Sequence, residues 1–358
     1  MKEKNNLKKT IIWFLISRII LFLFLIIKKD LSVFELYDSE HYIEIAKFGY
    51  TAPKLYAFFP LYPTIIKLLH YIIPSYQIAG ALISNISSFL SIIILNKITN
   101  NNKFNTICII FTPILAYTSM VYTESIFMLL TILGYYLYKK DKYILSAIII
   151  GLSTLTRNSG IILWGSIGLD MLYRLFITKD KNIKFKNILI FGLISLSIGL
   201  TYPIFLYIKT GNFLEFITVQ NEYWHRVGGT FIDGIIYDIK VMSFNPQDNL
   251  FLNIVIFIEN WLSFILLLII GIKIFKKDKV SSIYIIVSLI AFTISYRDIN
   301  YWTTLSSISL FRYVLNLFPL YIYLFDDNKS KRSLITFMIF LTFSIFNAIL
   351  IYGGLFLG

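Results

Sequence analysis

The sequence predicts an all-α integral membrane protein, a single bundle of about eleven transmembrane helices, within a range of about ten to twelve. Three observations predict this fold class. Of the 358 residues, 57% are apolar and only 15% are charged, and the mean hydropathy is +0.72, well above the usual value for a water-soluble domain. Apolar runs that could cross about 30 Å of hydrocarbon recur along the chain, separated by short polar gaps. Because hydrocarbon satisfies no backbone N–H or C=O group, such runs are expected to be helices.

The first apolar run, residues 10–27, follows a lysine-rich start and resembles a signal peptide, but no small-residue cleavage site follows it. We therefore expect a retained signal anchor with its N-terminus in the cytoplasm. Ten more runs are expected to cross the membrane, although several are shorter than the roughly 20 residues of a normal crossing. They are residues 77–96, 104–120, 124–138, 143–157, 161–177, 188–208, 250–272, 281–296, 307–325 and 333–353.

The positive charges have a simple distribution. With the N-terminus inside, the cytoplasmic gaps are all short and rich in Lys or Arg, as the positive-inside rule requires. This distribution explains the formal net charge of +13, so nucleic acid is not an expected partner. The single cysteine, Cys108, excludes an internal disulfide and a thiolate metal cluster. The basic gaps are residues 97–103, 139–142, 179–186, 273–279 and 326–332.

Two long segments, residues 28–76 and 209–249, then fall on the extracytoplasmic side. They hold half of the acidic residues and all three histidines, so function is expected there. Within the first, residues 57–73 are apolar but contain two prolines, Lys67 and His70, and we expect a helix at the membrane interface. The chain has no visible repeat or linker, so residues 1–358 are interpreted as one domain.

Asp38 is the first candidate catalytic residue. It opens the segment Tyr37-Asp38-Ser39-Glu40-His41, in which a helix would place Asp38 and His41 on one face. A carboxylate at the mouth of a membrane cavity could take a proton from a sugar acceptor hydroxyl. The alternative is that Asp38 only caps the helix.

The spacing of Asp38, His41 and Glu44 is also typical of half of a metal site. No second cluster of ligands completes it, and the Asp-x-Asp triplet that holds a metal in many nucleotide-sugar enzymes is absent. We therefore expect neither a bound metal nor another cofactor. Cationic side chains would then stabilise a phosphate group.

Two arginines are candidates for that role. Arg157 and Arg312 stand at predicted outer ends of helices, where an ionisable group is costly and by default functional. We predict that they bind the phosphate of a lipid-linked donor and that Glu124, at an outer turn, positions an arginine. The alternatives are that the arginines extend to lipid headgroups or pair with Glu124.

A sugar pocket is predicted around the second long segment. Gln220 and Trp224 are four residues apart, and an amide with an aromatic face suits a sugar ring. His41 is expected to line the same pocket. An interfacial aromatic belt would give the same composition and remains the alternative for Trp224. Glu40, Glu124 and Asn158 complete the predicted substrate-binding residues.

Several motifs together resemble one known family, the second mannosyltransferase of glycosylphosphatidylinositol anchor synthesis (PIG-V) with its prokaryotic relatives, in the GT-C superfamily. They occur in the family's order and span most of the chain. Tyr37 stands where the family usually has Trp. The motifs are Tyr37-Asp38 to Gly49-Tyr50, Ala57-Phe58-Phe59-Pro60-Leu61-Tyr62-Pro63, Tyr122-Thr123-Glu124-Ser125, Thr156-Arg157-Asn158-Ser159-Gly160, Gln220 with Trp224, and Arg312-Tyr313 before Phe318-Pro319.

The resemblance implies a GT-C fold, a mannose donor linked to polyprenyl phosphate, inversion at the anomeric carbon and an essential aspartate at Asp38. The expected acceptor is a lipid-linked, glycan or protein group outside the cytoplasm. A transporter or lipid flippase is the rival class, and a non-catalytic scaffold is a third. Transporters often contain inverted repeats and charges near the bilayer midplane, whereas here the candidate site residues lie at predicted outer helix ends and in the long external segments.

Overall fold

The structure, a computed structural model, describes residues 2–28, 34, 36–244, 250–298, 305–307, 309–325 and 331–352. Parts of both predicted external segments and of the last basic gap therefore lie outside the described residues. The α-helices are α1 (Lys2–Lys28), α2 (Asp38–Phe48), α3 (Leu61–His70), α4 (Tyr76–Ile98), α5 (Lys103–Ile110), α6 (Glu124–Lys139), α7 (Tyr143–Thr154), α8 (Gly160–Phe176), α9 (Phe185–Gly199), α10 (Thr201–Thr210), α11 (Glu215–Trp224), α12 (Phe231–Phe244), α13 (Leu250–Ile274), α14 (Lys279–Thr293), α15 (Leu310–Leu315), α16 (Pro319–Tyr323) and α17 (Lys331–Tyr352).

Other regular structure is scarce in the described part of the chain. A 3₁₀ helix spans Pro53–Ala57, and two three-residue strands, β1 (Arg226–Gly228) and β2 (Ser295–Arg297), pair antiparallel. The all-α prediction is therefore confirmed. The sequence did not predict the β1–β2 ribbon.

Four of the described helical segments are long and apolar enough to cross a membrane. In each, a stretch of 18 residues or more has the hydropathy that hydrocarbon requires. These segments support an integral membrane protein and coincide with four of the eleven predicted crossings. They are Tyr76–Ile98, Phe185–Thr210, Leu250–Ile274 and Ser333–Tyr352.

The predicted helix at residues 104–120 is wrong in its second half. Helix α5 ends at Ile110, and turns follow as far as Thr123. Pro113 explains the break, because proline lacks an N–H group and disfavours the helical conformation at Thr112 before it. The turns are buried, and side chains close them locally, as when the Thr118 hydroxyl donates to the Leu115 carbonyl over 2.9 Å.

Proline also interrupts the helix in two later segments. The segment 307–325 contains two short helices, α15 and α16, rather than one continuous helix, because Pro319 can begin a helix but cannot continue one. The segment 188–208 divides into α9 and α10 at Leu200. Pro203 has no N–H group for the Gly199 carbonyl four residues earlier.

Two further predicted segments end earlier than expected. Helix α7 ends at Thr154, before Arg157, and α14 ends at Thr293, before strand β2 begins at Ser295. A turn follows α7, and strand β2 follows α14 almost directly. The turn after α7 carries Arg157 of the candidate site.

Two sets of ion pairs lie at opposite ends of the bundle, whereas Arg18 and Glu259 are buried within α1 and α13. Short turns join α6 to α7 and α13 to α14 at one end, where Lys139 Nζ lies 2.9 Å from Asp278 Oδ1 and Arg174 Nη2 lies 2.6 Å from Asp180 Oδ2. Helix α6 runs from Glu124 at the opposite end, so Glu124 and the lysine-rich turns are separated by the length of the helix. Chemistry at Glu124 is therefore remote from the basic turns.

Candidate active site

Helix α2 presents Asp38 at its first position. The residue before it, Tyr37, has φ of 57°, a left-handed conformation that a bulky side chain rarely adopts. The backbone conformation of Tyr37 therefore sets the direction of helix α2, which follows it. No side-chain hydrogen bond caps the helix, so the interpretation of Asp38 as a helix cap is wrong.

Asp38 belongs to a network of four charged side chains from distant parts of the sequence. Arg312 donates through Nη2 to Asp38 Oδ2 over 2.8 Å, and its Nε lies 2.9 Å from Glu124 Oε1. Arg157 donates through Nη1 to the same Glu124 oxygen over 2.8 Å. We call these four residues the charge network. The structure thus brings together the predicted base, both predicted phosphate-binding arginines and Glu124.

The inner part of the charge network is deeply buried. Glu124 is 0% exposed and Arg312 is 4% exposed, whereas the side chain of Asp38 is 24% exposed. Buried charges are tolerated when they are paired, and here two cations meet two anions. Glu124 Oε2 is buried and makes no hydrogen bond to a described residue. Asp38 is the member that substrate could reach most readily.

Aromatic rings surround the guanidinium groups. The Arg312 Cζ atom lies between 5.1 and 5.3 Å from the centroids of Tyr117, Tyr122 and Tyr313. Arg157 Cζ lies 4.6 Å from the Tyr313 ring. Ring faces are electron-rich and attract cations, so the tyrosines help to retain both arginines without adding a negative charge.

Local structure explains how α6 and α7 supply their two members. Glu124 is the first residue of α6, where the positive end of the helix dipole favours a carboxylate. Arg157 lies in the turn after α7, where its N–H donates to Ser153 O over 3.2 Å and its carbonyl accepts from Gly160 N over 3.0 Å. A Cβ atom at Gly160 would stand 2.7 Å from the Thr154 nitrogen. Only glycine fits this turn without a backbone shift.

Arg312 is positioned by α13. The Asn260 side chain accepts from the Phe311 N–H over 2.8 Å and donates to the Ser307 carbonyl over 3.0 Å. The buried Asn260 amide thereby fixes both the first turn of α15 and the position of Ser307 before it. Arg312 follows Phe311 directly, so this anchor sets its position relative to Asp38.

A second group of side chains includes His41, which lies one helical turn after Asp38 on the same face of α2. His41 lies 4.7 Å from Phe58 and 6.1 Å from Trp224, and Phe58 lies 5.7 Å from Trp224, measured between ring centroids. Burial lowers the pKa of His41. We call His41, Phe58 and Trp224 the aromatic cluster. Such rings can cover the apolar face of a sugar.

The three other predicted substrate residues are less closely associated with the charge network. Gln220 lies one turn before Trp224 on α11, on the side of the aromatic cluster. Glu40 and Asn158 are exposed, and neither makes a side-chain hydrogen bond to the charge network within the described residues. They could meet substrate only from the open side.

The side chains of Asp38, His41 and Glu44 do not converge as the possible metal half-site would require. The Glu44 carboxylate accepts from the Thr51 hydroxyl over 3.2 Å, while Asp38 faces Arg312. Within the described ranges, no group of three or more His, Cys, Asp or Glu side chains is arranged to hold a metal ion.

Two arginines near the site were not among the predicted site residues. Arg226 begins β1 and faces Arg297 of β2. Arg226 and Tyr313 line one narrow cleft, and the Tyr313 ring lies beside Arg157 and Arg312 of the charge network. The sequence signal that could have identified Arg297 is an ionisable group at the end of an apolar run.

Comparison with known proteins gives one family. The model of the mannosyltransferase (PIG-V) family matches residues 22–224, more than half of the chain. The matched region includes Asp38, Glu124 and Arg157. Comparison with curated proteins gave no match. The family match confirms the resemblance seen in the sequence and does not favour a transporter or flippase.

Proposed function

This chain belongs to the mannosyltransferase (PIG-V) family, and on that basis we propose that it transfers mannose from a polyprenyl-phosphate-linked donor to an acceptor on the extracytoplasmic side. The acceptor class is a lipid-linked, glycan or protein hydroxyl group. The observation that carries the proposal is the charge network, in which a partly exposed carboxylate lies beside two paired arginines.

Asp38 acts as the general base. Its Oδ2 atom is held by Arg312, whereas Oδ1 makes no hydrogen bond to a described residue and can face an acceptor hydroxyl. The hydroxyl oxygen attacks the anomeric carbon as its proton passes to Asp38. The bond from that carbon to the phosphate oxygen breaks, and its electron pair stays on the phosphate. One displacement from the opposite face inverts the anomeric configuration.

Arg157 and Arg312 stabilise the departing phosphate. Guanidinium groups match phosphate geometry, and a fixed cation is most effective where charge develops during the reaction. Glu124 binds both arginines through one oxygen and so holds them at a fixed separation. It acts as a positioning residue.

The sugar pocket lies between Asp38 and the aromatic cluster. Trp224 and His41 cover the apolar face of mannose, and Gln220 bonds its hydroxyl groups. Glu40 and Asn158 contact substrate at the open side. The contacts of His41 with Phe58 and Trp224 support this assignment because they gather aromatic surface next to the proposed base.

The proposed architecture is one GT-C domain over residues 1–358, with about eleven crossings and a cytoplasmic N-terminus. Residues 28–76 and 209–249 then form the external segments. Two features support this orientation. The lysine-rich turns lie at the end of the bundle opposite Glu124, as the positive-inside rule requires. Exposed apolar side chains such as Leu68 and Ile72 suit an interfacial α3 region.

The direct experiment is reconstitution of the purified protein into liposomes with radiolabelled mannose donors. We expect transfer from polyprenyl-phosphate mannose and none from GDP-mannose, because the donor site lacks an Asp-x-Asp triplet. An extract of envelope lipids and glycans supplies the acceptor, and mass spectrometry identifies the product. Transfer from GDP-mannose alone would contradict the proposal.

A further inference from the structure

Helix α12 contributes one completely buried carboxylate. Asp238 is 0% exposed, and both of its oxygens accept hydrogen bonds from neutral donors. Oδ1 accepts from the Ser306 hydroxyl over 2.8 Å and from the Ser307 N–H over 3.0 Å. Oδ2 accepts from Trp261 Nε1–H over 3.3 Å and from the Ser307 hydroxyl. A buried carboxylate is tolerated where such donors replace its hydration, so Asp238 is bound to residues 306–307.

Two further elements hold the same short segment. Asn260 of α13 donates through Nδ2 to the Ser307 carbonyl and to the Ser307 hydroxyl oxygen, each over 3.0 Å. The Ser306 carbonyl accepts from the Arg297 N–H of β2 over 3.1 Å. Ser307 thus makes hydrogen bonds through its N–H, its carbonyl and its hydroxyl group. We call Asp238, Asn260, Ser306 and Ser307 the serine clamp.

The serine clamp also caps helix α15. The first N–H groups of a helix have no acceptor within the helix. Here the Leu310 N–H donates to the Ser307 carbonyl over 2.9 Å, and the Phe311 N–H donates to Asn260 Oδ1 over 2.8 Å. Because α15 has only six residues, it depends on such contacts more than a long helix does. Arg312 is its third residue, so the clamp sets the position of Arg312.

The backbone between the clamp and α15 is strained. Ser309 has φ of 81°, a conformation that is uncommon for any residue other than glycine. Its carbonyl accepts from the Tyr313 N–H over 3.2 Å. A strained residue persists only where the structure on both sides determines its conformation, and such residues are concentrated at functional sites. The junction before Arg312 is therefore held in a defined geometry.

We propose that Asp238 is a positioning residue for the transfer reaction, which acts through the serine clamp and α15 to hold Arg312 at Asp38. This inference rests on the proposed function, in which Arg312 stabilises the departing phosphate. The contact that Asp238 maintains is the 2.8 Å hydrogen bond from Arg312 to Asp38. Asp238 lies outside residues 22–224, which the family model matches. The later part of the chain thus supplies both Arg312 and the residues that position it.

Asparagine cannot replace Asp238 in the clamp. An amide has one acceptor oxygen, and its NH₂ group only donates. A serine hydroxyl can rotate to accept from that group, but the Ser307 N–H and Trp261 Nε1–H are fixed donors, one at each oxygen of Asp238. In either orientation of the amide, one fixed donor faces the NH₂ group. Asp238→Asn therefore disturbs the clamp with almost no change in side-chain volume.

The first test is a kinetic double-mutant cycle in liposomes. We expect Asp238→Asn to lower kcat by about tenfold or more, because a displacement of about 1 Å can lower a rate by about 100-fold. Ser306→Ala, which removes one donor, should have a smaller effect. In the Arg312→Lys background, Asp238→Asn should lower the rate much less than in the wild type, because coupled substitutions are not additive. A general loss of folded protein would lower both rates equally.

The control for the clamp is Ser243→Ala, at an exposed serine of α12 whose hydroxyl bonds within the helix. It should transfer mannose at the wild-type rate. An unchanged rate for Asp238→Asn, or the same fold-loss with and without Arg312→Lys, would overturn the inference in a protein that transfers mannose. If Asp238→Asn does not fold, Ser306→Ala takes its place in the cycle.

The second test needs no catalysis. Arg312 also contacts Glu124, so Asp238→Asn should weaken that contact. The decrease in melting temperature for the double variant with Glu124→Gln should be smaller than the sum of the two single decreases, whereas Ser243→Ala with Glu124→Gln should be additive. If the protein transfers no mannose, this cycle decides. A smaller decrease would then support the positioning of Arg312 and contradict only the proposed function, and an additive decrease would overturn the inference as well.

Discussion

Glu124 is the residue on which the charge network depends. One oxygen of a fully buried carboxylate serves two arginines. Removing one partner from a buried ion pair costs much more than the pair contributes, because it leaves an unpaired charge in a low-dielectric interior. Glu124 therefore matters for stability as well as for geometry.

We predict that Glu124→Gln lowers the free energy of unfolding by about 3–5 kcal/mol, the usual cost of breaking a buried ion pair. Arg157 would lose its Glu124 partner, and Arg312 would keep Asp38. Thermal unfolding in detergent measures the effect. The matched control is Glu222→Gln, at an exposed residue of α11. Equal melting temperatures for the two variants would contradict this account of Glu124.

His41 predicts a dependence of stability on pH. Burial lowers its pKa below the ordinary value of 6.5, although the nearby Asp38 opposes this effect. The unfolded chain therefore binds a proton on His41 more readily than the folded protein does. Neutral His41 therefore makes its full contribution to stability above pH 6.5. This contribution is lost as the pH falls from 6.5 through the lowered pKa of His41 in the folded protein.

The measurement for His41 is the melting temperature as a function of pH between about 7 and 5, the range in which histidines titrate. The wild type should become less stable as the pH falls, and His41→Gln should show a smaller decrease. His70→Gln, at a histidine that stacks on Tyr76, serves as the control and should follow the wild type. A His41→Gln curve parallel to the wild-type curve would refute this role.

At the residue scale, the sequence identifies the members of the site but not their pairing. Asp38, Glu124, Arg157 and Arg312 could be chosen because ionisable groups at the ends of apolar runs are costly. Their contacts could not be predicted, since Asp38 and Arg312 are 274 residues apart. Such a contact depends on how the helices pack, which no local pattern records.

At the scale of elements, the turn between α7 and α8 carries the main constraint. A Cβ at Gly160 would lie 2.7 Å from the Thr154 nitrogen and 2.8 Å from the Ser153 carbonyl carbon. These are backbone atoms, so the turn itself must shift. Arg157 would move with it.

We therefore predict that Gly160→Ala destabilises the protein by about 1–3 kcal/mol, as overpacking does, and lowers mannose transfer. Gly165→Ala is the matched control on the same helix, where a Cβ would meet nothing within 4 Å. Alanine should be neutral or slightly stabilising there. Thermal unfolding and initial transfer rates check both variants. Wild-type behaviour of Gly160→Ala would show that the turn tolerates movement.

Element boundaries can be predicted where proline or glycine acts locally, but strongly apolar neighbours can obscure that signal. Pro113 and Pro319 were visible in the sequence, yet the surrounding apolar residues favoured continuous helices at 104–120 and 307–325. The β1–β2 ribbon gave no local signal, because its three-residue strands lie about 70 residues apart and depend on tertiary contacts. Hydropathy predicts which segments enter a bundle better than it predicts where they bend.

At the scale of the whole molecule, composition alone was sufficient for the fold class. A chain with so few charges can satisfy its backbone in hydrocarbon only through helices or closed barrels, and the mostly helical fold follows. The number of crossings is less determined, because short or broken helices can cross, tilt or end inside the protein.

The proposed orientation predicts two sides for cysteine labelling. The native Cys108 is buried, so Cys108→Ser gives a suitable background. Glu222→Cys should react with a membrane-impermeant maleimide on intact cells, whereas Lys140→Cys should react only after the membrane is opened. Both positions are exposed. Labelling of Lys140→Cys on intact cells would reverse the orientation.

The central claim is that the Asp38 carboxylate takes the acceptor proton during mannose transfer. The most direct measurement is the initial rate for Asp38→Asn in liposomes supplied with polyprenyl-phosphate mannose and acceptor. We predict a loss of about 100-fold or more, the lower range for a general base, with little change in thermal stability, because Arg312 keeps Glu124 as a partner. Glu44→Gln, on the same helix, should transfer mannose at nearly the wild-type rate. A wild-type rate for Asp38→Asn would contradict the account.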